Sequence, residues 1–378
     1  MLDSGNELHQ LLRMILERAA SDLFITCDYP PALRIDGKVY PIDKPALNTE
    51  AVTGMVHVTL SEQQREEFAH THESNLSLLV EDVGRFRVNV FMQRGKPGMV
   101  FRPIKSTIPT MGELGLPDIC RELAMTKRGL VIITGGTGSG KTTTLASMIG
   151  YRNHNSHGHI VTIEDPIEFT HEHDNCLMTQ REVGIDTEHW ETALVNVLRQ
   201  APDVIVIGEC RRQETMETAL QLAETGHLCL TTLHANNTHQ TLDRIINMFP
   251  HERREQLMMD LSINLRGILS QRLIGRKSAP GRVLAMEVLL NTPRISDLIF
   301  RGQLLTIKDT VSNSREQEMC TFDQALFDLY LKREISMESA LRHADSKNDL
   351  RLRIKIEGLP GDKQRVNEAI DSLRMLEQ

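Results

Sequence analysis

The sequence predicts an α/β protein with a small α+β domain, a larger and mainly parallel α/β domain, and a mostly helical C-terminal region. Three observations carry this reading. From Leu130 onward, apolar runs such as "LVIIT" and "DVIVIG" alternate with helical stretches, which is the pattern of a parallel sheet. Before them, "GRFRVNVF" alternates strictly, with Phe86, Val88 and Val90 on one side and Arg85, Arg87 and Asn89 on the other. Between the two lies "STIPTMGELGLP", rich in Pro, Gly and Thr, which reads as a linker.

Taken in order, Leu8, Leu11, Leu12, Ile15 and Leu16 recur at helical spacing. "SDLFIT" and "PALRIDGKVY" read as strands, with Asp36-Gly37 a hairpin turn. Ser61 with Gln64 three residues on forms a capping-box signature for a further helix. "REQLMMDLSINLRGILSQRL" reads as one amphipathic helix carrying Leu257, Leu261, Leu265, Ile268 and Leu269 on a single face. Past residue 290 the pattern is helical, except that "LRLRIKI" alternates Leu350, Leu352, Ile354 and Ile356 with polar residues like a strand. A last amphipathic helix carries Val366, Ile370 and Leu373. The domain limits that follow are 1–105, a linker at 106–118, 119–290 and 291–378.

Composition narrows the function. The 378 residues carry a net charge of -8 and only 4% aromatics, against a nucleic-acid partner. No apolar run approaches the roughly 20 residues that span a bilayer, and the N-terminus lacks a secretory signal layout. The six cysteines form no C-x-x-C pair, which reads as reduced cytosolic thiols rather than a zinc module.

The strongest signal is "LVIITGGTGSGKTTTLASMI", where Gly135, Gly140, Lys141 and Thr142 fit G-x-x-x-x-G-K-[ST] between a strand and a helix. The loop Gly135, Gly136, Thr137, Gly138, Ser139 and Gly140, with Lys141, Thr142 and Thr143 opening the helix, can turn backbone N–H groups onto phosphates. Lys141 reaches the β/γ-phosphates, and the Thr142 hydroxyl suits Mg²⁺. ATP or GTP binding follows.

Hydrolysis needs carboxylates as well, and two strand ends offer them. One is "HIVTIEDPIEF", with Glu164 and Asp165; the other is "DVIVIGE", with Glu209. Both lie where α/β sheets put their ligands, and position alone does not divide metal ligand from base between them. His227 and His234 flank the apolar strand "LCLTTL", and His239 follows. Their spacings of seven and five are not those of a zinc site, and a strand-end histidine is commonly a structural hydrogen-bonder.

Together these blocks resemble the type II/IV secretion ATPase superfamily, and within it the PilT/PilU pilus-retraction family, on the PilU side. The resemblance runs in order through "SDLFIT", "GRFRVNVFMQRG", "GGTGSGKTTT", "TIEDPIEF", "LRQAPDVIVIGE", "ETGHLCLTTLHANN", "LDRIINMFP" and the tail "TFDQALFDLYLKREISMESALRHADSKNDLRL". It implies a RecA-like P-loop ATPase domain preceded by a PAS-like α+β domain, with a helical C-terminal extension. It assigns Glu164 as the water-activating base, Glu209 as the Mg²⁺ carboxylate, and His227 and His234 to a His box near the nucleotide and the subunit contact. Arg87 and Arg102 match the N-terminal arginines that meet the γ-phosphate, whereas Arg85 and Arg94 fit an exposed sheet face equally well.

The resemblance further implies a hexameric ring that hydrolyses ATP for pilus retraction and twitching motility. Its partners would be a PilT-type ATPase and an inner-membrane platform protein, with the ring cytoplasmic at the pilus base. The alternative is a nucleotide-binding ring component with weak hydrolysis that tunes its partner. The chain departs from the PilT pattern at "GECRRQ", where Arg212 replaces an acid, and at Gln200 and Ala201, which replace two more. Lys141, Glu164 and Glu209 are untouched, so a competent ATPase is expected.

Overall fold

The computed structural model describes residues 7–35, 37–104 and 107–360. It divides into two compact units, Met1–Thr107 with Ile167–Thr170, and Ile108–Pro166 with His171–Gln378.

In the first unit six strands form one antiparallel sheet: β1 (Asp22–Thr26), β2 (Ala32–Ile35), β3 (Lys38–Pro41), β4 (Glu73–Val80), β5 (Gly84–Gln93) and β6 (Lys96–Ile104), in the order β3-β2-β1-β6-β5-β4. The alternation in "GRFRVNVF" is realised, since Phe86, Val88 and Val90 are fully buried while Arg87 is exposed. The helix α1 (Glu7–Glu17) covers this core with Leu8, Leu11, Leu12 and Ile15, leaving Leu16 exposed at the edge of its stripe. After α2 (Thr49–Thr59) comes α3 (Glu62–Thr71), which starts with the expected reciprocal cap between Ser61 and Gln64.

The second unit holds seven strands in the order β13-β12-β7-β11-β10-β8-β9. These are β7 (Gly129–Thr134), β8 (Gly158–Glu164), β9 (Cys176–Glu182), β10 (Val204–Ile207), β11 (Leu228–Leu233), β12 (Leu265–Gly275) and β13 (Arg282–Leu290). All neighbours are parallel except the β12–β13 hairpin. Helices α4 (Ile119–Met125), α5 (Lys141–Asn155), α6 (Trp190–Val197), α7 (Gln213–Glu224), α8 (Thr238–Met248), α9 (Arg254–Asn264) and α10 (Pro293–Phe300) accompany it. Leu130 and Ile132 pack with Leu220 and Leu261 in one core, while Val131 and Ile133 pack with Leu123 and Met148 in another. Both faces of β7 are therefore dry, which is why its sequence is a continuous apolar run. The stretch read as a linker packs on this unit from Ile108 onward, with Met111 and Leu116 buried beside α4.

Two sequence readings are corrected. The single amphipathic helix ends at Asn264, and Leu265–Gly275 is β12, zipped between β7 and β13. Leu265, Ile268 and Leu269 fit a helical face, but a bulge between Leu265 and Gly267 lets them pack in a strand instead. A Cβ on Gly267 would come within 3.1 Å of the Leu289 carbonyl, so the close pairing uses the glycine.

"LRLRIKI" is helical, within α14 (Lys347–Glu357), which Ser346 caps by accepting from the Asp349 N–H. Leu350 and Ile354 satisfy period two and i,i+4 alike. Only those two are buried, against the C-terminal core of Phe322, Phe327 and Tyr330; Leu352 and Ile356 are 58% and 63% exposed. Among the described residues of that region the remaining elements are helices as well, α11 (Ile307–Ser312), α12 (Phe322–Leu331) and α13 (Met337–His343). The amphipathic segment with Val366, Ile370 and Leu373 lies outside the described residues.

Candidate functional site

The glycine-rich loop leaves β7 in the interior of the sheet and runs into α5. Gly135, Gly138 and Gly140 have φ of 154°, 73° and 89°. At Gly135 a Cβ would sit 2.5 Å from the Gln271 carbonyl and from Ser139 Oγ, so no side chain fits. Gly140 caps α5 without a side-chain acceptor, leaving the first-turn N–H groups available to an anion. Lys141 is only 9% exposed, and its ammonium donates to the Gly135 and Gly136 carbonyls at 3.0 and 3.1 Å, curled over the loop that would hold phosphate. Ser139 Oγ is buried with no hydrogen-bond partner, a further polar atom facing into the loop. The donor set suits a nucleotide phosphate chain.

The neighbouring strand ends bring the other groups to the same edge. Because β7, β11, β10 and β8 are consecutive and parallel, the loop, His234, Glu209 and Glu164 follow one another along it. Glu209 Oε1 lies 3.2 Å from His234 Nε2, and its Oε2 lies 2.8 Å from the Arg211 guanidinium. The turn beyond β10 is fixed by Thr232 Oγ1 donating to the Gly208 carbonyl at 2.7 Å and by the Cys210 N–H donating to the Thr232 carbonyl. Gly208 itself lies against Glu164, where a Cβ would be 3.3 Å from the glutamate Cα. Glu164 Oε1 accepts from Thr162 Oγ1 at 2.7 Å and from Gln180 Nε2 at 3.2 Å. Two carboxylates thus sit on adjacent strands, one tied to the His234 side and one to β9.

His234 has its pKa lowered, first by burial and then by the Lys141 ammonium, with Glu209 opposing. A neutral ring at neutral pH follows. The loop after β11 is held by Thr134 Oγ1 donating to the Ala235 carbonyl and by Arg244 donating to the His234 carbonyl at 2.7 Å. Between this loop and Gly135–Thr137 lies an open cleft of about 500 Å³, reached also by Gln240 and Arg244. Among the described residues no cluster of three or more His, Cys, Asp or Glu could hold a metal by itself. The Thr142 hydroxyl and the Glu209 carboxylate are nonetheless hard oxygen donors of the kind Mg²⁺ takes alongside phosphate and water.

The structure does not bring every expected residue here. His227 stands at the N-terminal end of β11, where its carbonyl accepts from Gly129 N at the start of β7. Its ring Nδ1 lies 3.1 Å from both the Leu222 carbonyl and Thr225 Oγ1. The six residues of β11 lie between it and His234, seven steps of ~3.3 Å or roughly 23 Å. Gln200 and Ala201 likewise precede β10, on the edge away from the loop. Arg212 is exposed beside Glu191 at the start of α7.

In the first unit Arg87 and Arg102 are directly opposed on β5 and β6. Like charges so placed repel, and Asp22 offsets them: its Oδ1 accepts from Arg102 Nη2 at 2.7 Å and Nε at 3.0 Å. Arg102 is therefore already engaged within its own unit.

Sequence reasoning missed Gln271. On β12, 1% exposed, it donates from Nε2 to the Ser139 carbonyl at 2.7 Å and so braces the phosphate loop from behind. A polar residue inside an apolar run was the available signal, hidden by the helical reading of that segment.

A parallel sheet with a glycine loop, a buried lysine and strand-end carboxylates on one edge defines a P-loop ATPase of the RecA-like type. The chain belongs to the family described as type II/IV secretion system protein, which matches residues 5–289. It is 54% identical over 93% of its length to the type IV pilus ATPase PilU of Pseudomonas aeruginosa, covering 92% of that protein. It is 40% identical over 89% of its length to the PilT retraction ATPase of the same organism, covering 98% of that one. The crystal structure of the pilus retraction motor PilT with bound ADP superposes at a TM-score of 0.84 and 41% identity, over 90% of this chain and 98% of that one. Within the PilT/PilU group the identity is higher to PilU.

Proposed function

We propose that this chain is a PilU-type motor subunit for type IV pilus retraction and twitching motility, hydrolysing ATP in a homo-hexamer alongside a PilT-type ATPase. The observation that carries this is the single edge holding the phosphate loop, His234, Glu209 and Glu164. The likeness to PilU along nearly the whole of both chains supports the biological role.

The residues divide the work. Amides of Gly136 to Lys141 cradle the phosphates, and the Lys141 ammonium leaves the loop carbonyls to meet the β- and γ-oxygens. Thr142 and Glu209 would hold Mg²⁺, which neutralises charge developing on the transferred phosphoryl group. Glu164 Oε1, already oriented by Thr162 and Gln180, is the base that orients and deprotonates the attacking water. His234, neutral, holds Glu209 in place. Arg87 and Arg102 supply cations to the γ-phosphate, for which Arg102 would leave Asp22. His227 serves at the subunit contact. On its likeness to PilU the ring is assigned to the cytoplasmic face of the inner membrane, under a pilus platform protein.

One observation favours a second reading, a ring component that binds nucleotide and tunes its partner. In the altered "CRRQ" stretch Arg212, where the PilT pattern has an acid, stands at the start of α7 three residues past the carboxylate assigned to the metal, exposed beside Glu191. The deciding experiment is Mg²⁺-ATP turnover of the purified chain, with sizing, alone and with a PilT-type partner. Vigorous turnover alone supports the motor; negligible turnover alone, with a changed partner rate, supports the tuner.

A further inference from the structure

The nucleotide cleft has a far wall, the loop His234–Asn237 that leads into α8, and the C-terminal helices reach it. On β12, the residue after Gln271 is Arg272, whose guanidinium stacks 4.0 Å over the Phe322 ring of α12. Its Nη1 donates to the His343 carbonyl at the end of α13. Its Nη2 donates both to Asp345 Oδ1 at 2.7 Å and to the Asn236 carbonyl at 2.9 Å. The other oxygen of Asp345 accepts from Asn237 Nδ2 at 3.0 Å, while Asn237 Oδ1 caps α8 through the Gln240 N–H.

Asp345 is itself seated, because its N–H and that of Ser346 donate to the two carboxylate oxygens of Asp323 on α12. Behind Asn237, the buried Glu287 accepts from the Thr238 N–H at 2.9 Å. Two successive β12 residues thus brace the two walls, Gln271 the phosphate loop and Arg272 the opposing loop.

We infer that Arg272 and Asp345 are positioning residues for ATP hydrolysis, through which the C-terminal helices set the His234–Asn237 wall against the phosphate loop. Arg272 and Asp345 are 22% and 18% exposed, so the pair is shielded more than a surface ion pair. A second ion pair supplies the control. Arg276, just past the end of β12, pairs with Glu334 in the turn after α12, away from the residues that hold Asn236 and Asn237. One pair starts on β12 and the other just beyond its end, both reach the C-terminal helical region, and only the first also holds Asn236 and Asn237.

The test uses the full chain with Asp345→Ala, Arg272→Ala, Asp345→Asn and Glu334→Ala. Amide hydrogen exchange over 234–241, which requires no turnover, should speed several-fold in the two alanine variants at the clamp. It should stay at the wild-type rate in Glu334→Ala. In turnover, kcat should fall about tenfold for Asp345→Ala while the KM for ATP moves less than about twofold, since misplacement harms the step more than the binding. Asp345→Asn, which keeps one acceptor, for Asn237 or for Arg272 but not for both, should fall between the wild type and Asp345→Ala in both readouts.

Unchanged exchange in the clamp variants, equal speeding in Glu334→Ala, or faster exchange with unaltered kcat would each overturn the inference. A wild-type chain without turnover would count against the motor reading alone, because exchange still decides the clamp.

Discussion

The two ends of β11 carry one histidine each, and they have opposite fates. His234, at the C-terminal end, touches Glu209 and feels the charge of Lys141; His227, at the N-terminal end, is held by Leu222 and Thr225 in a helix-to-strand turn. In sequence they look alike, polar residues bounding "LCLTTL". In a parallel sheet they cannot be equivalent. Every strand ends on one edge, so loops and helix N-termini gather there, while the other edge receives helix C-termini and strand starts. The departures from the PilT pattern sort the same way. Arg212 falls beyond the C-terminal end of β10, at the start of α7 on the chemical edge, whereas Gln200 and Ala201 fall on the other.

Removing groups from the chemical edge in turn should cost turnover in a graded order. Lys141→Ala should lower ATP turnover by about a hundredfold or more and weaken nucleotide binding, measured by phosphate release and ADP titration. Glu164→Gln should leave binding intact and slow hydrolysis by roughly 10²- to 10⁴-fold; wild-type turnover would remove Glu164 as the base. His234→Ala should cost roughly ten- to hundredfold in turnover, because Glu209 then loses its partner on the cleft side.

Glu287 gives the fold a pH dependence. Its carboxyl is pushed up from 4.5 to about 7, chiefly by burial and also by Asp345, against the pull of Thr238 and Arg272. Between those two values the native state keeps a proton that the unfolded chain releases. Stability is therefore lost as pH rises from about 4.5 through about 7, by on the order of 3 kcal/mol in full. Thermal melts of wild type and Glu287→Gln at about pH 5 and pH 8 should diverge in favour of the variant at the higher pH; parallel curves would show that Glu287 is ionised throughout. The smallest effect belongs to His227→Ala. It should leave nucleotide affinity within about twofold and lower stability by about 1 kcal/mol, the loss of a hydrogen-bonded turn residue. A loss of binding like that of Lys141→Ala would put His227 at the phosphates after all.

Legibility followed the range of the interactions. The phosphate loop was readable because a strand, a glycine turn and a helix N-terminus are contiguous in the chain, and Gly135 and Gly140 are dictated by the backbone there. The alternation of Phe86, Val88 and Val90, and the Ser61–Gln64 cap, were readable for the same local reason. Glu164 and Glu209 could be named as strand-end acids, but their adjacency depends on β8 pairing with β10 across a gap that includes β9 and α6.

Where two periods fit the same residues, the sequence could not choose. Leu350 and Ile354 suit a strand or a helix, and Leu265 to Leu269 suit a helix or a bulged strand. Local chain chemistry therefore determined the phosphate loop, the apolar strands and the caps. The choice between strand and helix for β12 and α14, the separation of His227 from His234, and the reach of Arg272 and Asp345 to the cleft wall were decided only by tertiary pairing. Each of those depends on which distant segment supplies the backbone partner or the dry face, and that information is not held within any short stretch of chain.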